Sequence, residues 1–237
     1  MTLIEHLEEL RARIFKSIVA IAVGAVAAWF LYDHILALMV SPLKKLPVAE
    51  QLISRGKLIF TSPPEAFFIR LKIVSFAGLV LALPVILWEV WRFVAPGLYA
   101  QEKRYALPFV GSSLALFAGG VALSLISLPK ALEFLTAFAG TDLVLVPKAS
   151  EYLSFILLMI VAFGVAFEFP LALLALTLVG VLSSAKLRQG RKIAWILVLV
   201  VAAVITPTQD PITMTILAVP MALLYEATIV ATRLLKR

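Results

Sequence analysis

The chain has 237 residues, of which 62% are hydrophobic, and its mean hydropathy is +1.05. Soluble domains are about 45–50% apolar. Because the apolar residues here lie in long runs, the composition excludes a soluble domain and predicts a polytopic membrane protein. The absence of cysteine excludes disulfides and thiolate chemistry, and the net charge of +7 fits basic cytoplasmic loops.

Six apolar runs predict an all-α membrane protein with six transmembrane helices in one integral membrane domain, residues 1–237. The predicted spans cover approximately residues 15–40, 66–91, 105–128, 152–182, 193–205 and 211–232. The fifth span is about 20 Å long against a hydrocarbon core of roughly 30 Å, and the sixth is also short in uncharged residues. Either the bilayer thins or a partner covers these two spans, or snorkelling ends such as Lys192 and Trp195 extend them.

Proline recurs inside the predicted spans, at Pro84, Pro108, Pro170 and Pro220. Each proline removes an intrahelical hydrogen bond and permits a kink. Kinked helices of unequal length favour a concave bundle over a cylinder.

The distribution of basic residues predicts the orientation in the membrane. Thirteen of the 21 lysines and arginines fall at the termini and in the loops of one side, and eight fall on the other side. The richer side is expected to be cytoplasmic, so both termini are predicted to face the cytoplasm.

Acidic residues precede the first apolar run in the segment HLEELRAR, residues 6–13. On a helix, Glu9 and Arg13 lie four residues apart, and Glu8 and Arg11 lie three apart, so both pairs can form ion pairs along one face. A self-paired surface helix is one interpretation. The other is that a carboxylate here receives a cationic ligand, since the like charges of Glu5 and Glu9 repel each other at helical spacing.

Two further acidic residues lie in the loops. Glu102 follows the Pro96–Gly97 turn signal in FVAPGLYAQEKR, and it is either a recognition residue or a helix N-terminal acid. Asp210 precedes a proline in ITPTQDP, which is typical of a helix N-cap. Ser62 of SPPEAFF is a possible N-cap as well.

A few ionisable residues lie within the predicted spans or at their ends. Glu168 lies near the middle of the fourth span, where an ionisable group should face the bundle or a wet cavity, or donate as a protonated acid to a carbonyl freed by Pro170. Glu89 and Arg92 are three residues apart and are predicted to pair with each other.

No catalytic signature such as HExxH or a P-loop occurs, so we expect a protein that is not an enzyme and has no cofactor or metal. The serines at 112 and 113 lack a histidine base at depth, which disfavours an intramembrane protease. A proton-coupled small-solute transporter using Glu168 is the alternative function, although no internal repeat supports it.

Five motifs in order, HLEELRAR, SPPEAFF, FVAPGLYAQEKR, AFGVAFEFPL and ITPTQDPIT with LAVPMALLYE, resemble the TatC family. TatC is the multispanning core subunit of the twin-arginine (Sec-independent) protein translocase. The resemblance covers essentially the whole chain. It implies a glove-shaped six-helix bundle in the inner membrane of a prokaryote, with both termini cytoplasmic.

The resemblance also implies the function and its residues. The core subunit would bind twin-arginine signal peptides of folded cargo at the cytoplasmic face, and recruit TatA-like and TatB-like single-span subunits for transport driven by the protonmotive force. The signal peptide would contact Glu9 and Glu102, supported by the residues Arg11, Arg13, Phe93 and Pro96. Glu168 matches the buried acid of the fourth span and Asp210 matches the acid of the outer hairpin. Glu89 is charged where some relatives are neutral.

Overall fold

The computed structural model describes residues 3–43, 58–94, 106–137, 148–178, 180–206 and 210–234. These ranges contain the helices α1 Leu3–Phe30, α2 Tyr32–Val40, α3 Pro63–Val94, α4 Ala106–Ala137, α5 Ala149–Leu178, α6 Ser184–Gln189, α7 Arg191–Ile205 and α8 Pro211–Leu234. In the same ranges, the one extended pairing is a parallel bridge between Ile59 and Lys148. The predicted all-α class is confirmed.

Five of the described helices are long and apolar enough to cross a membrane: Ile4–Phe30, Pro63–Phe93, Leu107–Ala137, Ala149–Thr177 and Pro211–Leu234. Helix α7, the predicted fifth span, has 15 residues. At 1.5 Å per residue it is about 22 Å long, which is less than the roughly 30 Å of a hydrocarbon core. The sixth crossing therefore stays a prediction.

The predicted shortness of the last span is wrong. Helix α8 has 24 residues and passes through Glu226 without interruption. Glutamate is a good helix former, and its side chain is paired here: Arg191 Nη2 donates to Glu226 Oε2 over 2.6 Å. The charged residue therefore does not end the helix, and its ion pair connects α8 to the start of α7.

The first predicted span, residues 15–40, is two helices separated by a turn at Leu31. Arg70 of α3 lies against this interruption: its guanidinium carbon is 4.3 Å from the ring centroid of Trp29 and 4.7 Å from that of Tyr32. Its Nη2 also donates to the Trp29 carbonyl over 3.5 Å. A cation at the carboxyl end of α1 is electrostatically favourable, which stabilises the end of the helix there.

Three of the four prolines predicted inside spans lie in helix interiors, and Pro108 does not. Pro84, Pro170 and Pro220 lie inside α3, α5 and α8. Pro108 lies in the first turn of α4, where no intrahelical bond is available to be lost, so the predicted kink there is wrong. Pro129 lies inside α4 instead, because this helix continues past residue 128 to Ala137.

The chain divides into two compact units. The first comprises Met1–Ile35 and Arg70–Ala115, and the second comprises Leu36–Ile69 and Leu116–Arg237. In the first unit, α1 and α3 run antiparallel, as shown by four contacts in reverse order along α3: His6 with Phe93, Arg13 with Glu89, Gly24 with Gly78, and Trp29 with Arg70.

The backbones of α1 and α3 touch at the third of these contacts. A Cβ atom placed on Gly24 would lie 2.5 Å from the Gly78 carbonyl oxygen, and one placed on Gly78 would lie 2.6 Å from the Ala25 nitrogen. Only glycine fits at either position. Small residues that allow close backbone approach are a common way for helices to associate in membranes, where the hydrophobic effect between helices is weak.

The second unit is built around α5, which is the most buried of the five membrane-length helices. Its residues Met159 and Phe163 pack with Leu217 and Met221 of α8 and with Ala202 of α7, and all five side chains are at most 2% exposed. Helix α4 joins this core through a second close approach, since a Cβ on Gly120 would lie 2.5 Å from the Phe163 carbonyl oxygen.

A buried carboxylate connects two helix N-termini in the second unit. Glu65 Oε2 accepts from the Thr61 nitrogen (2.7 Å), the Thr61 hydroxyl (3.1 Å) and the Ser62 nitrogen (3.3 Å) at the start of α3. Its Oε1 accepts from the Ser150 nitrogen (3.4 Å) in the first turn of α5. The predicted helix start after Ser62 is confirmed, and the carboxylate three residues later caps it as in a capping box.

Candidate functional site

Polar side chains form one stripe at the beginning of α1. His6, Glu9 and Arg13 are spaced three and four residues apart and are each partly buried, whereas Glu8 and Arg11 are exposed. A helix of 3.6 residues per turn places the first three on one face. This face packs against the last turns of α3, because His6 and Arg13 both contact α3 residues.

Arg13 forms ion pairs with two carboxylates from different helices. Its Nε donates to Glu9 Oε1 over 3.1 Å, and its Nη2 forms a short ion pair with the same oxygen. Its Nη1 donates to Glu89 Oε2 of α3 over 3.0 Å. The Arg13, Glu9 and Glu89 side chains are 13%, 19% and 9% exposed, so water screens these charges incompletely. We call these three residues the carboxylate–arginine triad.

The triad carries one more carboxylate than guanidinium, so its formal charge is −1 when both acids are ionised. Glu9 Oε2 is buried and accepts no hydrogen bond from the described part of the chain. A buried acceptor without a donor is costly, and a charged donor would relieve that cost. The triad is therefore suited to receive one additional cation.

An aromatic contact flanks the triad. The His6 and Phe93 rings stack with centroids 4.4 Å apart and planes inclined by 20°. Nearby in the same unit, Trp91 of α3 packs on Phe109 of α4 with centroids 4.6 Å apart. These contacts fix the end of α3 against α1 and α4, immediately before the segment that carries Pro96 and Glu102.

The structure describes four of the six residues predicted to bind a peptide. Glu9 and Arg13 form the ion pair that their spacing predicts, and Phe93 lies on the adjacent aromatic stack. Arg11 is exposed. Pro96 and Glu102 lie outside the described residues.

The prediction that Glu89 pairs with Arg92 is wrong. Glu89 is buried and bonds Arg13, while Arg92 is exposed. Glu89 and His6 belong to this region but were not among the predicted site residues. Helical spacing could have identified both residues. Glu89 lies four residues before Phe93, and His6 lies three before Glu9, so each shares a helix face with a predicted site residue.

The two other predicted residues belong to the second unit. Asp210 is the N-cap of α8: its Oδ1 accepts from the Thr213 nitrogen over 2.7 Å, and Pro211 is the first helical residue. Asp210 is 3% exposed. Glu168 is partly buried on α5, two residues before Pro170. The Thr228 hydroxyl of α8 lies 3.4 Å from the Pro170 carbonyl oxygen.

Five long apolar helices define a multi-pass α-helical membrane protein, in which the carboxylate–arginine triad joins the beginning of α1 to the last turns of α3. The family model for TatC, the Sec-independent protein translocase protein, matches residues 5–220. The chain belongs to the TatC family. It is a core subunit of the twin-arginine translocase, a transport component and not an enzyme.

Individual relatives agree with this assignment. The chain is 40% identical over 236 residues to the Sec-independent protein translocase protein TatC of Frankia casuarinae, covering 97% of this chain and 65% of that protein. It is 39% identical over 237 residues to TatC of Deinococcus radiodurans, covering 99% and 86%. A crystal structure described as the twin arginine translocase receptor TatC in DDM superposes with a TM-score of 0.79 at 36% identity, covering 96% of this chain and 99% of that one.

Proposed function

We propose that this subunit is the receptor for twin-arginine signal peptides, with Glu9 and Glu102 as the carboxylates that bind the two arginines. The observation that carries the proposal is the state of Glu9: it already binds one guanidinium, and its second oxygen is buried without a donor from the described residues. The antiparallel α1–α3 pair adds support, because the segment bearing Glu102 follows the end of α3 that lies beside Glu9.

Guanidinium is the ligand that such a site would select. Its planar fork matches a carboxylate with two parallel hydrogen bonds, whereas a lysine ammonium is a strongly hydrated point charge. A hydrogen bond to a charged group contributes about 1.5–3 kcal/mol net. Two such contacts would separate arginine from lysine signals by something like 100-fold in affinity.

The supporting residues have distinct proposed tasks. Before the peptide binds, Arg13 orients the Glu9 side chain through their ion pair, and the exposed Arg11 contributes a basic position beside it. Phe93, held against His6, and Pro96 shape the segment that presents Glu102.

We further propose the arrangement in the membrane that the charge distribution favours: six crossings, both termini in the cytoplasm, and a location in the inner membrane of a prokaryote. Folded cargo would be exported at the expense of the protonmotive force. Glu168 would contribute a polar group to the transport face, and Asp210 would fix the outer hairpin through its N-cap.

Single-span TatA-like and TatB-like subunits are the proposed partners, along α7 and α8. An apolar groove of about 140 Å³ lies where α5, α7 and α8 meet, lined among others by Phe169, Leu197, Val201 and Met221. The outward side chains of α7, such as Ile193, Ile196 and Val204, are more than half exposed. An apolar partner helix would cover this surface at the site where α7 is too short to match the bilayer.

The test of the receptor proposal is binding of a labelled twin-arginine peptide to the purified chain in nanodiscs. Glu9→Ala and Glu102→Ala should each lower the affinity at least about tenfold, and a twin-lysine peptide should bind the unmodified chain about 100-fold more weakly. Glu151→Ala is the matched control, because Glu151 is an exposed first-turn acid of α5. Unchanged affinity in both variants would reject the assignment.

A further inference from the structure

We propose that Glu89 is a positioning residue for signal-peptide recognition. When a peptide arginine binds Glu9, Arg13 releases Glu9 and stays ion-paired with Glu89. This inference rests on the proposed receptor function and deepens it. Arg13 acts as an internal arginine that partly occupies the recognition carboxylate. Binding would then be an exchange of guanidinium groups on Glu9, with Glu89 as the acceptor that keeps Arg13 paired.

The contacts of Arg13 define the exchange. Two of its nitrogens, Nε and Nη2, converge on the single oxygen Oε1 of Glu9, while Nη1 is 3.0 Å from Glu89 Oε2. An incoming guanidinium needs both oxygens of Glu9 for a bidentate contact, and one of them is already engaged. Arg13 must therefore give up Oε1, at least in part, before the peptide arginine can bind fully.

Glu89 lowers the cost of that release. Arg13 is 13% exposed, so losing its carboxylate partner would leave a poorly solvated charge. Removing one partner of a buried ion pair is strongly unfavourable because the remaining charge is uncompensated. Arg13 is already bonded to Glu89, which is 9% exposed and faces it from α3, so it keeps a counter-ion throughout.

Charge counting leads to the same conclusion. Glu9 and Glu89 with Arg13 carry a formal charge of −1, and a bound peptide arginine brings the set to zero. Each carboxylate then has one guanidinium. Without Glu89, the same binding event would place two guanidinium groups on one carboxylate.

The experiment is a double-mutant cycle on affinity for a twin-arginine peptide, with the full chain in nanodiscs. Glu89→Gln should weaken binding about tenfold, the equivalent of one charged hydrogen bond. In an Arg13→Gln background the same Glu89→Gln change should have less than about a twofold effect, because no displaced guanidinium remains to be held.

Two exposed residues of α1 supply charge-matched controls. Glu8→Gln removes one negative charge as Glu89→Gln does, and Lys16→Gln removes one positive charge as Arg13→Gln does. Both should leave the affinity within about twofold of the unmodified chain, because exposed charges contribute little. Gel filtration and the unfolding temperature establish that each variant is folded.

Different results would reject the guanidinium exchange and the receptor function. Equal losses from Glu89→Gln in the unmodified chain and in the Arg13→Gln background would show that Glu89 acts only through its negative potential, and would overturn the exchange. No loss from Glu89→Gln would overturn it as well. By contrast, an unmodified chain that binds arginine and lysine peptides alike, or a Glu9→Gln variant with full affinity, would reject the receptor function itself.

Discussion

At the scale of single residues, Glu65 shows how one carboxylate can serve two helices of the second unit. Its two oxygens accept from Thr61, Ser62 and Ser150, so the starts of α3 and α5 share one anion. Both helix N-termini are the positive ends of helix dipoles, and the N–H groups of Thr61, Ser62 and Ser150 point at the carboxylate, which together favour a negative charge between them. Glu65 is 8% exposed, so these bonds are little weakened by water.

Glu65→Gln should therefore destabilise the chain and lower its unfolding temperature by several degrees, since the amide keeps the shape but offers one acceptor oxygen and no charge. Thermal unfolding in mixed micelles measures the change. Glu133→Gln on the exposed face of α4 is the control and should leave the unfolding temperature nearly unchanged. A Glu65→Gln unfolding temperature equal to that of the control would show that the carboxylate does not stabilise the two helix starts.

At the scale of helices, the α1–α3 pair shows how a membrane protein associates helices without a hydrophobic driving force. Two aromatic rings stack at one end, and an ion pair lies about two turns further along α1. The backbones touch in the middle, and an arginine packs on aromatic rings at the far end. The order of these contacts leaves one register for the pair. Each contact is small, and together they fix where Glu9 lies relative to α3.

Gly24→Ala tests the central contact of this pair. Its new methyl group would lie 2.5 Å from the Gly78 carbonyl oxygen, so the helices must separate, at a cost of about 1–3 kcal/mol as for other overpacked sites. Thermal unfolding in micelles measures it. Gly111→Ala in α4 is the matched control, because nothing lies within 4 Å of its added Cβ atom. Alanine should stabilise that exposed position, and equal losses at both sites would contradict the close approach.

The apolar runs were sufficient to predict most helices, because a stretch of about 20 apolar residues can satisfy its backbone in lipid only as a helix. The pair of Glu9 with Arg13 followed from local spacing. The bond from Arg13 to Glu89 did not, because it joins residues 76 apart and depends on the register of two helices. Local spacing favoured Arg92 as the partner of Glu89, and the long-range ion pair prevailed because it lies buried between helices.

At the scale of the whole molecule, the proposed topology assigns exposed basic side chains to opposite membrane surfaces. Lys186 and Arg188 lie in α6 beside the basic start of α7, and Lys130 lies near the end of α4; all three are exposed. The charge distribution assigns the first two to the cytoplasmic side and Lys130 to the opposite side. The absence of cysteine makes this orientation directly measurable.

Single-cysteine variants give the orientation its test. In intact spheroplasts, Lys130→Cys should react with a membrane-impermeant maleimide, whereas Lys186→Cys should react only after the cells are permeabilised. A denatured sample provides the reference for full labelling. Labelling of Lys186→Cys in intact spheroplasts, with Lys130→Cys protected, would place the termini on the opposite side of the membrane and would contradict the proposed topology.

The touching backbones at Gly24 and Gly78 have a mechanical consequence. A shift of α1 by one residue would bring the side chain of Val23 or Ala25 onto the Gly78 backbone, so neither helix can slide along the other. About 30 Å of helix separates Glu9 from Trp29. Since α1 is one continuous helix from Glu9 to Trp29, a tilt imposed on Glu9 by a captured peptide would displace Trp29 and the Arg70 guanidinium that packs on its ring.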